Sequence, residues 1–256
     1  MMLAFPMKFS TLPFLLLIEL FSFWFATRRA VQRGHIDESG ATLITILLVL
    51  LVVWAGVSSW MAISGVFQSE PFLSSWPAFW VAFVAVAIVM TPLMVSCEAR
   101  ETVRSVIDTT PMHWMVGFQA MRSLAIGGVM KALNGEFSRY FGLYIGIPDM
   151  IFGLSALLVA WMVYRKRVGT GTLIIWNLFG AMIIVPFGLV LLQMGLPGPW
   201  MHFDETPGIS TIFEFPMALA PTVVVPLFVM VNLFVAIRLI ERSMAGDKTL
   251  ESKTVL

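Results

Sequence analysis

Three kinds of residue are scarce in this chain, and each scarcity removes a class of function. Cys97 is the only cysteine, so one chain can form neither an internal disulfide nor a cysteine-based zinc site. The three histidines, His35, His113 and His202, fall at different expected levels, which argues against a di-histidine haem or a diiron centre. Charged side chains make up only 12% of the chain and the formal net charge is +1, leaving no basic field for nucleic acid. No G-x-S-x-G elbow, H-E-x-x-H, P-loop or dinucleotide fingerprint is present, and no motif specifies a cofactor. A seven-span layout invites comparison with retinal proteins, but the last apolar stretch has no lysine to form a Schiff base.

What is abundant is apolar surface: 59% of residues are hydrophobic and the mean hydropathy is +0.89, well above what a soluble core needs. A bilayer core about 30 Å thick takes roughly 20 apolar residues per helix. Seven such stretches stand out, near residues 11–27, 41–66, 76–96, 112–130, 143–164, 172–194 and 212–240. The first could mimic a signal peptide, but it carries Glu19, runs into Arg28 and Arg29, and lacks a small-residue cleavage site, so it reads as a span. The expected fold is all-α, a polytopic bundle of about seven transmembrane helices. Residues 1–244 would form one transmembrane domain and 245–256 a polar, disordered cytoplasmic tail.

The basic residues sort the connecting segments by side. After the first, third, fifth and seventh stretches come Arg28, Arg29, Arg33, Arg100, Arg104, Arg165, Lys166, Arg167, Arg238, Arg242, Lys248 and Lys253. The opposite side holds only Lys8, Lys131 and Arg139. The positive-inside rule therefore predicts an outer amino terminus and a cytoplasmic carboxyl terminus, in a bacterial inner membrane.

Of the sixteen basic residues only Arg122 is left on neither side, near the middle of the fourth stretch, with Gln119 one turn before it on the same helical face. An ionisable group at that depth needs a partner or water. It is either a guanidinium fork for a ligand carboxylate or phosphate, or half of a permanent internal ion pair. Its expected acidic neighbours are Glu19, Asp149 and Glu214, all in the outer half. Asp149, after Gly146-Ile147-Pro148, also suits a plain helix start, and Glu214 follows the candidate caps Ser210 and Thr211. Glu19 has no such local explanation.

The loop after the sixth stretch carries His202, Asp204 and Glu205, which are weak metal-ligand candidates; the other reading is an interfacial cap anchored by Trp200. Eighteen methionines scatter without an array and suit packing. Pro216, Pro221 and Pro226 must bend or break the last stretch, where Asn232 could bond the freed carbonyls.

The series Gln119-x-x-Arg122, Gly146-Ile147-Pro148-Asp149-x-x-x-Gly153, Trp176-Asn177-x-x-Gly180, Phe215-Pro216, Pro221 and Pro226 resembles a group of uncharacterised bacterial inner-membrane proteins over residues 112–240. Relatives in that group often have a histidine near the position of Asn232, so this chain departs there. The resemblance implies no activity; it implies only that the outer-half constellation is the place to look.

The leading functional expectation is an outward-facing polar cavity of Arg122, Gln119, Asp149, Glu214 and Glu19 that binds or transports a small anion, an amphiphile or protons. One alternative is an enzyme acting on a lipid-like substrate, with Asp149 or Glu214 as acid or base and His202 assisting. Another is an accessory subunit of a membrane complex. The expected partners are the lipid bilayer, a small-molecule ligand, and either a membrane protein or a second copy of the chain.

Overall fold

A computed structural model describes the backbone of residues 10–254 and the side chains of 10–245. Lys8 and the last two residues lie outside the described residues. The described elements are all helical, with no strand among them. Helices α1 (Leu12–Gln32), α2 (Glu38–Ile63), α3 (Trp80–Val95) and α4 (Cys97–Thr109) come first. A helical run over 112–133, α5, follows, then α6 (Arg139–Tyr164), α7 (Thr170–Met194) and α8 over 220–254.

Every one of the seven apolar stretches contains helix. Four helices are long and apolar enough to cross a membrane: α2, α6, α7 and Ala220–Ala245 of α8. A fifth span results if α3 and α4 are counted together, although they bend by 113° at Ser96. Large apolar side chains stand exposed along the outside, among them Leu17, Phe21, Ile46, Val53, Leu157, Ile175 and Phe179. Over such an area this suits hydrocarbon and not water. The chain is a membrane protein.

Helix ends follow local chemistry. Asp37 accepts the Gly40 N–H at 2.8 Å and starts α2. Ser96 leaves α3 in an extended conformation and accepts the Ala99 N–H at 3.2 Å, which starts α4 in a new direction. α4 occupies what the hydropathy pattern treats as a loop, and its charges pin it to α8. Arg104 meets Glu241 at 2.7 Å, and Arg238 grips Asp108 with both prongs at 2.7 and 2.6 Å. That fork, with Arg242 beside it, holds the Asp108 carboxyl below its ordinary range.

Three expectations about helix boundaries need correction. The last helix does not begin near 212. A short 3-10 segment, Ile209–Phe213, is followed by extended backbone at Glu214, and helix resumes only at Ala220. Pro216 and Pro221 lack the N–H donors that a continuous helix would need there. Widened turns mark Ala220–Val224, Gly142–Gly146 and Ile183–Gly188, each with a proline inside it or within two residues after it. Ser210 and Thr211 therefore cap no helix at Glu214. Second, Asp149 stands in the first turn of the α-helical segment Ile147–Tyr164, as expected, but that segment continues a helical run that opens earlier, at Arg139. Third, the tail beyond Ala245 continues the backbone helix to Thr254.

α8 is the most enclosed of the four apolar helices, with 61% of its apolar window buried. α1, α2 and α3 pack on one side of it through Leu15, Leu51, Ala85, Val223 and Leu227. α5 and α7 pack on the other through Val116, Leu173 and Val235.

Candidate functional site

The site begins with a close helix contact. Gly153 of α6 lies against the backbone of α5 at Arg122 and Ser123, so close that a Cβ there would stand 2.7 Å from the Arg122 carbonyl carbon. α5 tightens to 3-10 geometry over Gln119–Ala125 along this contact. The Arg122 side chain then has almost no route to solvent; the residue is 2% exposed.

Its guanidinium is nearly fully engaged. Nε donates to Asp149 Oδ1 at 2.7 Å, and Nη2 is ion-paired with the same oxygen. Nη2 also donates to the Gly180 carbonyl at 2.9 Å, while Nη1 makes a long 3.5 Å contact to Gln119 Oε1. Gln119 is held in turn, its Nε2 donating to the Phe228 carbonyl at 3.3 Å. The Phe152 ring lies under the guanidinium, 4.5 Å from Cζ, and stacks on Trp176 at 4.3 Å. Trp176 Nε1 donates to Ser155 Oγ at 3.2 Å. Gly180 has no side chain to displace the Phe152 ring, since even a methyl there would overlap it. One charged pair thus ties α5, α6 and α7 together, and Gln119 carries the tie on to α8. Phe152 went unnoticed in the sequence, although its spacing of three from Asp149 puts it on the same helical face.

The pair forms part of the wall of a cavity of about 500 Å³ between α1, α3, α5, α6, α7 and α8. That volume is in the range of roughly 300–1,000 Å³ usual for ligand pockets. Its lining is mainly carbon, from residues such as Phe79, Val86, Met121, Ile184, Val224 and Phe228. Besides Arg122 and Asp149 it includes the buried Lys131, which the sequence placed only at a helix end, and the exposed Asn134. Phe83, Leu124, Ile126 and Met130 line it and are also exposed on the apolar outer surface, so the cavity has a sideways mouth.

The other expected members stand apart. Glu19 is fully buried, yet it is absent from the lining, and it bonds neither Arg122 nor Gln119. Glu214, half-buried in the extended segment before α8, is absent from the lining too. The expected convergence of Arg122 and Gln119 with three carboxylates is thereby reduced to Arg122, Gln119 and Asp149. Asn232 is buried beside this region, but neither its amide oxygen nor its nitrogen has a hydrogen-bond partner among the described residues, so it does not satisfy the freed carbonyls.

The loop after α7 is a cap. Glu205 accepts from Ser138 Oγ, from the Arg139 N–H at 2.9 Å and from the Tyr140 N–H at 3.3 Å, which closes the start of α6. His202 is exposed, with Nδ1 at 2.7 Å from the Trp200 carbonyl, and Asp204 is exposed beside it. Trp200 stacks on Trp76 at 5.7 Å. Among the described residues no group of three His, Cys, Asp or Glu is placed to hold a metal. His202 in this cap and Asp149 on Arg122 are not assembled into one acid–base site.

The model of a family described as a domain of unknown function, DUF8737, matches residues 78–240. The chain belongs to that family. The DUF8737 segment covers α3 to α8 apart from the end of α8, and so includes Gln119, Arg122, Asp149, Phe152, Gly153, Gly180 and Asn232. α1, with Glu19, and α2 precede it. No curated protein and no solved structure matches the chain.

Proposed function

We propose that this protein binds, and moves or presents, an amphiphile in its outer cavity, as a seven-span protein of a bacterial cytoplasmic membrane with its amino terminus outside. Contacts at the two ends of the bundle support the span count. Arg28 with Glu38 at 3.9 Å, Ser39 with Glu98 at 3.2 Å and Arg104 with Glu241 join helix ends at the basic level. Glu205 with Ser138, and Gln68 Nε2 with the Ser210 carbonyl at 3.0 Å, join the opposite ends. A chain threaded between these levels crosses seven times, with α4 lying along the inner surface.

The observation that carries the ligand reading is the cavity's lining: an apolar space with a sideways mouth and a few polar groups in one wall. A small hydrated anion would have to compete with Asp149 for Arg122, whose donors are already engaged. A molecule with an apolar body loses nothing by entering from the hydrocarbon and gains the polar wall for its head group.

Gly128 lines this cavity, and a Cβ built on it meets nothing within 4 Å. Gly128→Phe should therefore fill the space without disturbing helix packing. Wild-type protein purified in mild detergent is expected to retain an amphiphile detectable by native mass spectrometry and in its lipid extract. The variant should retain about tenfold less, with unchanged helicity and elution volume. Equal retention by both proteins would contradict the reading.

A further inference from the structure

A second cavity of about 580 Å³ lies between α1, α2, α3, α4, α5 and α8. Its lining is again mainly apolar, with Ser22, Thr27, Thr110 and His113 as polar members. The two cavities succeed one another along the same helices. On α1, Leu12 and Leu15 line the first and Ile18, Ser22 and Phe23 the second. On α8, Val224 and Phe228 line the first and Leu227 and Met230 the second. Met121 of α5 faces both, so the partition at that point is one side chain thick.

Glu19 lies on α1 between these two sets, one turn beyond Leu15 and one turn before Phe23. It is fully buried, and neither carboxyl oxygen has a hydrogen-bond partner among the described residues. No charged group on the packed elements bonds it. On α2 the only charged residue is Glu38, beside Arg28 at the far end of α1. On α4, Glu98 bonds Ser39, Arg100 donates to the carbonyls of Leu93 and Met94, and Glu101, Arg104 and Asp108 belong to the network with α8. α3 and Ala220–Val224 carry no charge at all. The ionisable groups of the cavities are Arg122, Lys131 and Asp149 in the first and His113 in the second.

A carboxylate with neither counter-charge nor donor is strongly disfavoured in such a setting, whereas the neutral acid is tolerated. A leucine would pack there as its neighbours do, so helix packing alone gives no reason for glutamate. We infer that Glu19 is a proton-binding site in the partition between the two cavities, and that it takes up and releases its proton through water reaching it from one cavity or the other. The step is simple acid dissociation, with no co-reactant. The inference does not depend on what the outer cavity binds.

The apolar reagent N,N′-dicyclohexylcarbodiimide, which adds to protonated carboxyls, tests it on the full-length protein in lipid nanodiscs. Peptide mass spectrometry should find the adduct on Glu19, its yield falling at least several-fold as the pH is raised, and lost altogether in Glu19→Gln. Glu19→Asp should restore labelling and its pH dependence. No adduct on Glu19 in folded wild-type protein at any pH would overturn the proposal. So would an adduct of constant yield, because a permanently neutral packing acid gives that result. Should Glu19→Gln fail to fold, the wild-type pH series still decides. Gly128→Phe, which empties the first cavity of ligand, leaves this labelling in place.

Discussion

Arg122→Ala is expected to abolish folding, and not to yield a folded protein that has merely lost a ligand. The substitution would leave the Asp149 carboxylate inside the bundle without its counter-charge, and would also remove the donor on the Gly180 carbonyl. Breaking a buried pair from one side costs about 3–5 kcal/mol, a large share of a total stability of about 5–15 kcal/mol. Asp149→Ala should do similar damage from the other side. Removing both charges with apolar residues of comparable volume, as in Arg122→Met with Asp149→Leu, should recover most of the loss, since no lone charge then remains. Yield of monodisperse protein and the thermal midpoint in one detergent, compared across wild type and these three variants, give the answer. A folded Arg122→Ala protein of wild-type midpoint would show that the pair is not what ties α5, α6 and α7 together.

Gly153→Ala should be the most damaging methyl addition in the bundle. The atoms its Cβ would meet are backbone, with the Arg122 carbonyl carbon at 2.7 Å and the Ser123 Cα at 3.0 Å, so α5 and α6 must separate. Overpacking of this kind costs about 1–3 kcal/mol, and more where nothing can yield. It would also pull Asp149 away from Arg122. Gly127→Ala and Gly171→Ala are the controls: nothing lies within 4 Å of either added methyl, and a helical glycine replaced by alanine gains roughly 0.5–1 kcal/mol. The expected result is a lowered thermal midpoint for Gly153→Ala alone. Equal midpoints for all three variants would mean that the α5–α6 contact is looser than described.

These expectations show which parts of the molecule were legible in the sequence. Hydropathy located every apolar helix, because burial in hydrocarbon demands a long run of carbon whatever the neighbours are. The cost of a mid-membrane guanidinium singled out Arg122, and the same cost required a partner such as Asp149. What hydropathy cannot supply is rotation about each helix axis. Glu19, Asp149 and Glu214 were all placed in the outer half, but only Asp149 bonds Arg122; Glu19 has no hydrogen-bond partner among the described residues, and Glu214 precedes α8 altogether. Depth is written in one dimension, whereas convergence depends on the order of helices around the bundle.

Other features were missed for local reasons that could have been read. Ser96 with Glu98 just after it is a helix-start signal, and the alternating charges over 97–109 suit an amphipathic helix, so α4 could have been recognised within an apparent loop. The prolines at 216 and 221 announced a break, but not that helix would wait until Ala220. Glu205 resembled a metal ligand because its true partners, Ser138 and the N–H groups of Arg139 and Tyr140, lie more than sixty residues away in sequence. The motif series around Gly153 and Gly180 had no physical content until the Arg122 backbone and the Phe152 ring were seen against those two glycines.

The central claim is an apolar cavity with a closed Arg122–Asp149 pair in its wall, occupied from the bilayer side. A density map of the full-length protein in lipid nanodiscs tests it in a single measurement. The account predicts elongated density between α3, α5 and α7, entering past Phe83 and Met130 and reaching toward a paired Arg122. Helices collapsed onto one another with side chains filling that space, or an Arg122 turned away from Asp149 into bulk water, would contradict it.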